Sequence, residues 1–67
     1  MTVLQQLVRL RVKRKLRQSD VARLMHVTRQ QTFNLETMRQ GYPSIRTLER
    51  YAKAVGAKIV VREKKLK

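Results

Sequence analysis

The sequence predicts a small all-α domain of four helices, followed by a short C-terminal β-strand. Apolar residues recur at helical spacing through residues 2–55, and capping residues, glycine and proline divide that stretch into short segments. Composition adds a third observation, because 67 residues carry 17 Lys and Arg against 4 Asp and Glu, a net charge of +13. That imbalance favours a polyanionic partner such as DNA, RNA or an anionic membrane.

The first two helices are predicted over residues 2–15 and 18–25, and each has one apolar side. The residues expected to face inward from them are Leu4, Leu7, Val8, Leu10, Val21, Ala22, Leu24 and Met25. His26 and Val27 form the break before the third helix. Because His26 is the only histidine and no nucleophile–base–acid set is visible in the sequence, we interpret it as a turn residue and not as a catalyst.

The third helix is predicted over residues 29–36 by a capping box, in which Thr28 is the cap and Gln31 the return partner. Thr32 and Leu35 share a side with Thr28, so that side is expected to face the core. Four side chains are expected to point outward: Arg29, Gln30, Phe33 and Asn34. For Phe33, packing in the core is an equal alternative, because the apolar period is ambiguous there.

The fourth helix is predicted from the cap Ser44 to about Val55, after a loop over residues 37–43, and Gly56 is its stop. Tyr51 is expected at the margin of its apolar side. The inward residues are predicted to be Ile45, Leu48, Ala52 and Val55. The chain then divides into a helical domain (residues 1–56), a strand (57–62) and a basic tail (63–67).

Several functional classes are disfavoured by the composition. The chain has no cysteine, one histidine and four acidic residues, so we expect no metal, no cofactor and no enzymatic activity. No apolar run approaches the roughly 18 residues of a membrane span, and no signal-peptide pattern is present. We therefore expect no membrane partner and a location in the cytoplasm of a cell or of an infected host.

A set of short matches occurs in a fixed order along residues 7–55. They are Leu7, Leu10-Arg11, Leu16-Arg17-Gln18, Ala22, Val27-Thr28, Glu36, Pro43-Ser44 and Leu48. In this order and spacing the chain resembles the Cro/repressor (xenobiotic-response-element-like) helix-turn-helix family. The resemblance implies a lambda-repressor-like bundle whose third helix enters the DNA major groove. His26 departs from the glycine common in the family's turn, and Arg17 from its capping threonine.

The outward side chains of the third helix suit base edges. Arg29 can pair with guanine O6 and N7, Gln30 or Asn34 can pair with adenine N6 and N7, and Phe33 can contact a thymine methyl. For Gln30, a solvated polar side chain is the alternative. A second set is expected to contact phosphates, with solvated side chains as the alternative: Arg17, Gln18, Arg23, Arg39 and Gln40. Family members use a glutamine at the position of Gln18 in this way.

Arg11 lies on the apolar side of the first helix, where a charge needs a partner. Glu36 follows the inward side of the third helix, and family members pair these two positions. The sequence therefore predicts an Arg11–Glu36 ion pair, with exposure of the Arg11 head group to solvent as the alternative.

The predicted strand has no obvious partner within the chain, so we expect two subunits to pair through Ile59, Val60 and Val61. Pairing with residues 1–4 or a frayed tail are the alternatives. A two-fold dimer predicts a near-palindromic operator, with half-sites about 34 Å apart.

These observations favour a dimeric repressor that binds double-stranded DNA sequence-specifically. An antitoxin with a toxin partner is the second interpretation, because some family members are antitoxins. A basic RNA-binding or membrane-binding protein is a distant third, since the chain has few stacking aromatics and complete helix caps.

Overall fold

We analysed a computed structural model, which describes residues 2–60 of the chain. Within that range lie four helices, α1 (Val3–Lys13), α2 (Gln18–Met25), α3 (Arg29–Glu36) and α4 (Ile45–Ala54). The all-α class is confirmed, and α2 and α3 have the predicted bounds. Residues 57–60 form no strand, and the rest of the predicted strand and the basic tail lie outside the described residues.

The helix starts follow the capping residues in the sequence. Three helices begin after a hydroxyl side chain that accepts a bond from the backbone N–H three residues on, namely Thr2, Thr28 and Ser44. α2 lacks such a cap, and instead the Asp20 carboxylate accepts the Arg17 N–H at 2.8 Å. α1 is shorter than predicted, because Thr2 is its cap and the chain turns left-handed at Lys15, with φ 59°.

The turn between α2 and α3 keeps the left-handed geometry of a glycine turn although a histidine occupies it. His26 has φ 60° and ψ 42°, and the Val27 N–H donates to the Ala22 carbonyl at 2.9 Å. A non-glycine residue in this region costs on the order of 1 kcal/mol. The Arg50 guanidinium stabilises the same end of α2, because it donates to the Met25 carbonyl at 2.6 Å.

The core lies between α1, α2 and α4. Its buried apolar residues are Leu4, Leu7, Val21, Ala22, Met25, Leu48, Tyr51, Ala52 and Val55. α3 contributes Thr32, which is fully buried and donates its hydroxyl to the Thr28 carbonyl, and Leu35, which is partly buried against the core. α3 is therefore held by one side only.

Three predictions about the core were wrong. Leu24 and Ile45 were expected inside, but they are 56% and 57% exposed, and Tyr51 was expected at the margin but is completely buried. At about 100° per residue, Leu24 lies roughly 100° from the middle of the buried side of α2. Ile45 begins α4, so no preceding turn of the helix covers it, and Tyr51 is drawn inside by a polar partner described below.

Candidate nucleic-acid interface

The outer side of α3 carries three of the four side chains predicted to contact bases. Arg29 and Gln30 are exposed in its first turn, and Phe33, one turn on, is 41% exposed. Residues three and four apart are neighbours on a helix surface, so these side chains form one patch, which lies on a different side of α3 from the buried Thr32. Phe33 is therefore a surface residue. Asn34 is only partly exposed.

This patch borders the start of α2. Gln18, Arg29, Gln30 and Phe33 line one shallow concavity, so the first residue of α2 and the first turns of α3 share a surface. The arrangement brings one residue predicted to contact phosphate beside three predicted to contact bases. A duplex seated on α3 would therefore pass close to Gln18.

Gln30 and Asn34 are bonded to each other on α3. The Gln30 Nε2 donates to Asn34 Oδ1 at 3.0 Å, one helical turn away. The sequence predicted either amide as an adenine contact, and the structure adds that the two are coupled. The orientation of the Gln30 amide in this structure is the one that this bond requires.

The residues predicted to contact phosphates differ in their surroundings. Arg17 and Arg23 are highly exposed, and both pair with Asp20, at 3.4 Å and 3.0 Å respectively. The hydrogen bond from the Arg17 N–H, then that from its side chain, lowers the pKa of Asp20. Arg39 and Gln40 are exposed in the turn after α3. All four of these side chains are exposed to solvent, Arg17 and Arg23 at α2 and Arg39 and Gln40 after α3.

The Gln18 side chain is directed inward as well as toward the concavity. Its Nε2 donates to Glu36 Oε1 at 3.0 Å, and the residue is only partly exposed. The bond fixes the amide of the first residue of α2 to the last residue of α3. Gln18 is thus placed by the fold and does not move freely in solvent.

Glu36 joins all four helices. The Arg11 Nε lies 2.7 Å from Glu36 Oε2 as an ion pair, without hydrogen-bond alignment, and the Arg11 Nη2 donates to Oε1 at 3.1 Å. The Tyr51 hydroxyl donates to Oε2 at 2.5 Å. Together with Gln18, these donors come from α1, α2 and α4. The ion pair predicted from the sequence is present, and the side chains of Arg11 and Glu36 are 13% and 6% exposed.

The electrostatics of this group favour a charged arginine and a neutral tyrosine. Burial, together with the hydrogen bond to Glu36 and its charge, raises the pKa of Tyr51 well above its ordinary value. Burial alone would lower the pKa of Arg11, but the hydrogen bond and charge of Glu36 outweigh it and raise that pKa. The group therefore keeps its donors over the physiological pH range.

Sequence reasoning missed two kinds of contact. It did not identify Tyr51 and Gln18 as donors to Glu36, although a tyrosine on an apolar helix side ordinarily needs a hydroxyl partner. It also missed Arg14, whose Nη1 donates to the carbonyls of Val55 and Gly56 at 2.6 Å and 2.9 Å. Helix C-termini attract cations, which was the available signal.

The residues predicted to form a dimer contact do not share one environment. Ile59 packs against the core of its own chain, whereas Val60 is 66% exposed. Val61 lies outside the described residues. In the part of the chain described, Val60 is the member of this set that a second subunit could contact.

A family model described as a helix-turn-helix domain matches residues 4–64, a stretch that includes nearly all of the four helices. Comparisons with curated proteins and with solved structures gave no significant match. Within residues 2–60, no helix has the length and apolar character needed to cross a bilayer.

Proposed function

The chain belongs to the helix-turn-helix domain family, and from this premise we propose that it regulates transcription by binding double-stranded DNA sequence-specifically. α3 lies in the major groove, with its first turns nearest the base edges. The observation that carries the proposal is the exposure of Arg29, Gln30 and Phe33 on one side of a helix whose other side is anchored. These side chains form the base-contacting surface.

The chemistry of this surface suits base edges. The guanidinium of Arg29 donates to guanine O6 and N7, and the amide of Gln30 both donates to and accepts from adenine. The ring of Phe33 packs on a thymine methyl. α3 contains one acidic residue, Glu36, and its side chain is turned into the helix contacts described above, with 6% exposed. No exposed carboxylate on α3 therefore opposes the approach of phosphates.

Phosphate contacts surround the base-contacting surface. Arg17, Gln18 and Arg23 are on the α2 side, and Arg39 and Gln40 follow α3. Such contacts fix the register on the duplex without selecting sequence. A net charge of +13 gives the whole domain a long-range attraction for DNA that added salt weakens.

We also propose that the protein acts as a repressor, two chains occupying one near-palindromic operator. A bound protein blocks other proteins from the same base pairs, which favours repression. Ile59 faces its own core and Val60 faces out, an alternation that suits edge-to-edge pairing between subunits. Two chains of charge +13 repel each other, so the pair is expected on DNA, which screens the repulsion.

Selection of bound duplexes from a random pool tests the DNA proposal. The selected duplex should bind at least about 10³-fold more tightly than a scrambled one at moderate salt. Single-stranded RNA and anionic vesicles serve as competitors. Equal binding of selected and scrambled duplexes, or stronger competition by RNA or vesicles, would refute the proposal.

Two variants that each remove one positive charge locate the interface. Arg29→Ala should cost about 1–3 kcal/mol on the selected duplex and relax the preference at one guanine. Lys53→Ala, on α4, should weaken binding to the selected and the scrambled duplex by the same small factor. For the dimer, Val60→Lys should abolish cooperative filling of the two half-sites, so that a complex with one chain accumulates at intermediate protein concentrations. Unchanged cooperativity counts against pairing at Val60.

A further inference from the structure

We propose that Asn34 makes Gln30 selective for adenine over guanine, without contacting the base itself. The inference deepens the proposed function and rests on it. Gln30 is exposed in the first turn of α3, whereas Asn34 is partly exposed one turn later. The hydrogen bond from Gln30 Nε2 to Asn34 Oδ1, 3.0 Å long, is the observation that carries the proposal.

The argument depends on the donors and acceptors of a glutamine amide. A free glutamine offers two N–H donors and one carbonyl acceptor. In the major groove, adenine offers a donor at N6 and an acceptor at N7, whereas guanine offers acceptors at both O6 and N7. A free glutamine can therefore satisfy adenine with one N–H and its carbonyl, or guanine with both N–H groups.

Asn34 removes one of these two choices. One N–H of Gln30 is occupied by Asn34 Oδ1, which leaves one N–H and Oε1 for a base. This remaining edge matches adenine. Against guanine, the same edge would place Oε1 opposite a second acceptor, so a hydrogen bond would be replaced by repulsion between lone pairs.

The neighbours of Gln30 support this geometry. Gln30 lines the same concavity as Gln18, Arg29 and Phe33, so it lies on the proposed base-contacting surface. Asn34 is absent from that lining and lies instead in the wall of the groove between α3 and the start of α4. Its placement suits a positioning residue better than a second base contact.

The experiment measures base discrimination at one position of the selected operator. Gln30→Ala first identifies that position, as the one at which preference collapses. The protein with Gln30 and Asn34 intact should prefer adenine over guanine there by roughly 5-fold to 150-fold, the range for a bidentate contact. Asn34→Ala should reduce this ratio to within about threefold of unity, while preferences at other positions remain.

Asn34→Asp is the matched control, because an aspartate still accepts from Gln30 Nε2. It should retain the adenine-to-guanine ratio while its added negative charge weakens binding to all duplexes alike. The double variant Gln30→Ala/Asn34→Ala should show the base preferences of Gln30→Ala alone. Circular dichroism melting of each variant separates loss of folding from loss of discrimination, and discrimination is a ratio that lower stability does not change.

Four outcomes would overturn the inference. Asn34→Ala leaving the ratio unchanged would show that Asn34 does not act on Gln30. Lost preference at a different base in Asn34→Ala would make Asn34 a direct contact. A preference for guanine at the Gln30 position would mean that Asn34 donates to Gln30 Oε1 instead. If the intact protein shows no sequence preference at all, the proposed function fails and this inference with it.

Discussion

Among single residues, Glu36 is expected to contribute strongly to stability. It accepts from Arg11, Gln18 and Tyr51, and the Arg11 side chain is only 13% exposed. Glu36→Ala would leave a buried guanidinium without its counter-charge, a change that costs about 3–5 kcal/mol. Urea denaturation should show the free energy of unfolding falling by that amount.

Glu49→Ala provides the control for this prediction. Glu49 is another of the four acidic residues, and it is exposed on α4. Its removal should change the free energy of unfolding by less than about 0.5 kcal/mol. Similar losses for Glu36→Ala and Glu49→Ala would mean that only net charge matters, and the buried network would then have no special role.

The two glycines allow backbone strain to be separated from a lost contact. Gly41 and Gly56 both have positive φ, 88° and 78°. A Cβ at Gly41 would meet open space, whereas one at Gly56 would collide with Arg14 Nη1, which caps α4. Gly41→Ala should cost about 1–2 kcal/mol from the backbone alone, and Gly56→Ala about 1 kcal/mol more for each Arg14 bond it displaces.

An Arg14→Ala background checks that explanation. In this background the Arg14 contact no longer exists, so Gly56→Ala should cost no more than Gly41→Ala in thermal or urea unfolding. An excess cost at Gly56 that persists without Arg14 would show that the guanidinium is not its source.

At the level of the helices, the cap of α3 links folding to binding. The Thr28 Oγ1 accepts the Gln31 N–H at 3.0 Å, and the Gln31 side chain accepts the Thr28 N–H at 2.8 Å. Thr28→Ala should cost about 1 kcal/mol of stability. It should also weaken binding to the selected duplex, because the first turn of α3 carries Arg29 and Gln30.

Thr2→Ala removes the corresponding cap of α1, where the Gln5 N–H donates to Thr2 Oγ1 at 3.1 Å. A similar loss of stability is expected, with DNA affinity unchanged under conditions in which both variants remain folded. Comparable losses of affinity in the two variants would indicate that general destabilisation, and not fraying of α3, weakens binding.

The sequence predicted the helices well where local chemistry sets their ends. Thr28 with Gln31 placed α3, and Ser44 placed the start of α4, because a cap acts within one turn. Leu24 and Ile45 were assigned to the wrong side, since neighbouring elements decide which part of an apolar helix side is covered. The C-terminal strand was predicted from β-branched residues that follow a helix stop, and β-structure also depends on a partner strand that these local signals do not supply.

The candidate site shows the same division. Exposure of Arg29 and Gln30 follows from helical period. The Arg11–Glu36 pair was predicted from the apolar position of Arg11 together with the family resemblance. The bonds from Gln18 and Tyr51 to Glu36 join residues 18 and 15 positions apart. Such contacts depend on how helices pack. The sequence could therefore indicate that the Tyr51 hydroxyl needs a partner, but not that the partner is Glu36. The Gln30–Asn34 bond could have been predicted from the sequence, because an amide pair at positions i and i+4 is a recognised helix contact.

For the whole molecule, stability and binding should respond to salt with opposite signs. A net charge of +13 on 67 residues destabilises the folded state by self-repulsion, which added salt screens. Raising sodium chloride should therefore raise the urea midpoint. Over the same range, DNA affinity should fall linearly on a log–log plot, because bound phosphates release counterions.

A variant with Lys53→Glu and Lys58→Glu provides the comparison. Both lysines are exposed and lie outside α3, so the substitutions reduce net charge without changing the base-contacting surface. The urea midpoint of this variant should depend less on salt. An equal dependence would mean that salt stabilises the protein by a route other than screening of its net charge.

α3 separates the residues that anchor it from those that face outward. Thr32, Leu35 and Glu36 attach it to the rest of the domain, whereas Arg29, Gln30 and Phe33 lie on its exposed side. Substitutions at the outer positions should therefore change the free energy of unfolding little. Related chains could retarget to new operators through a few substitutions, and engineered libraries restricted to those positions should yield folded members with altered specificity.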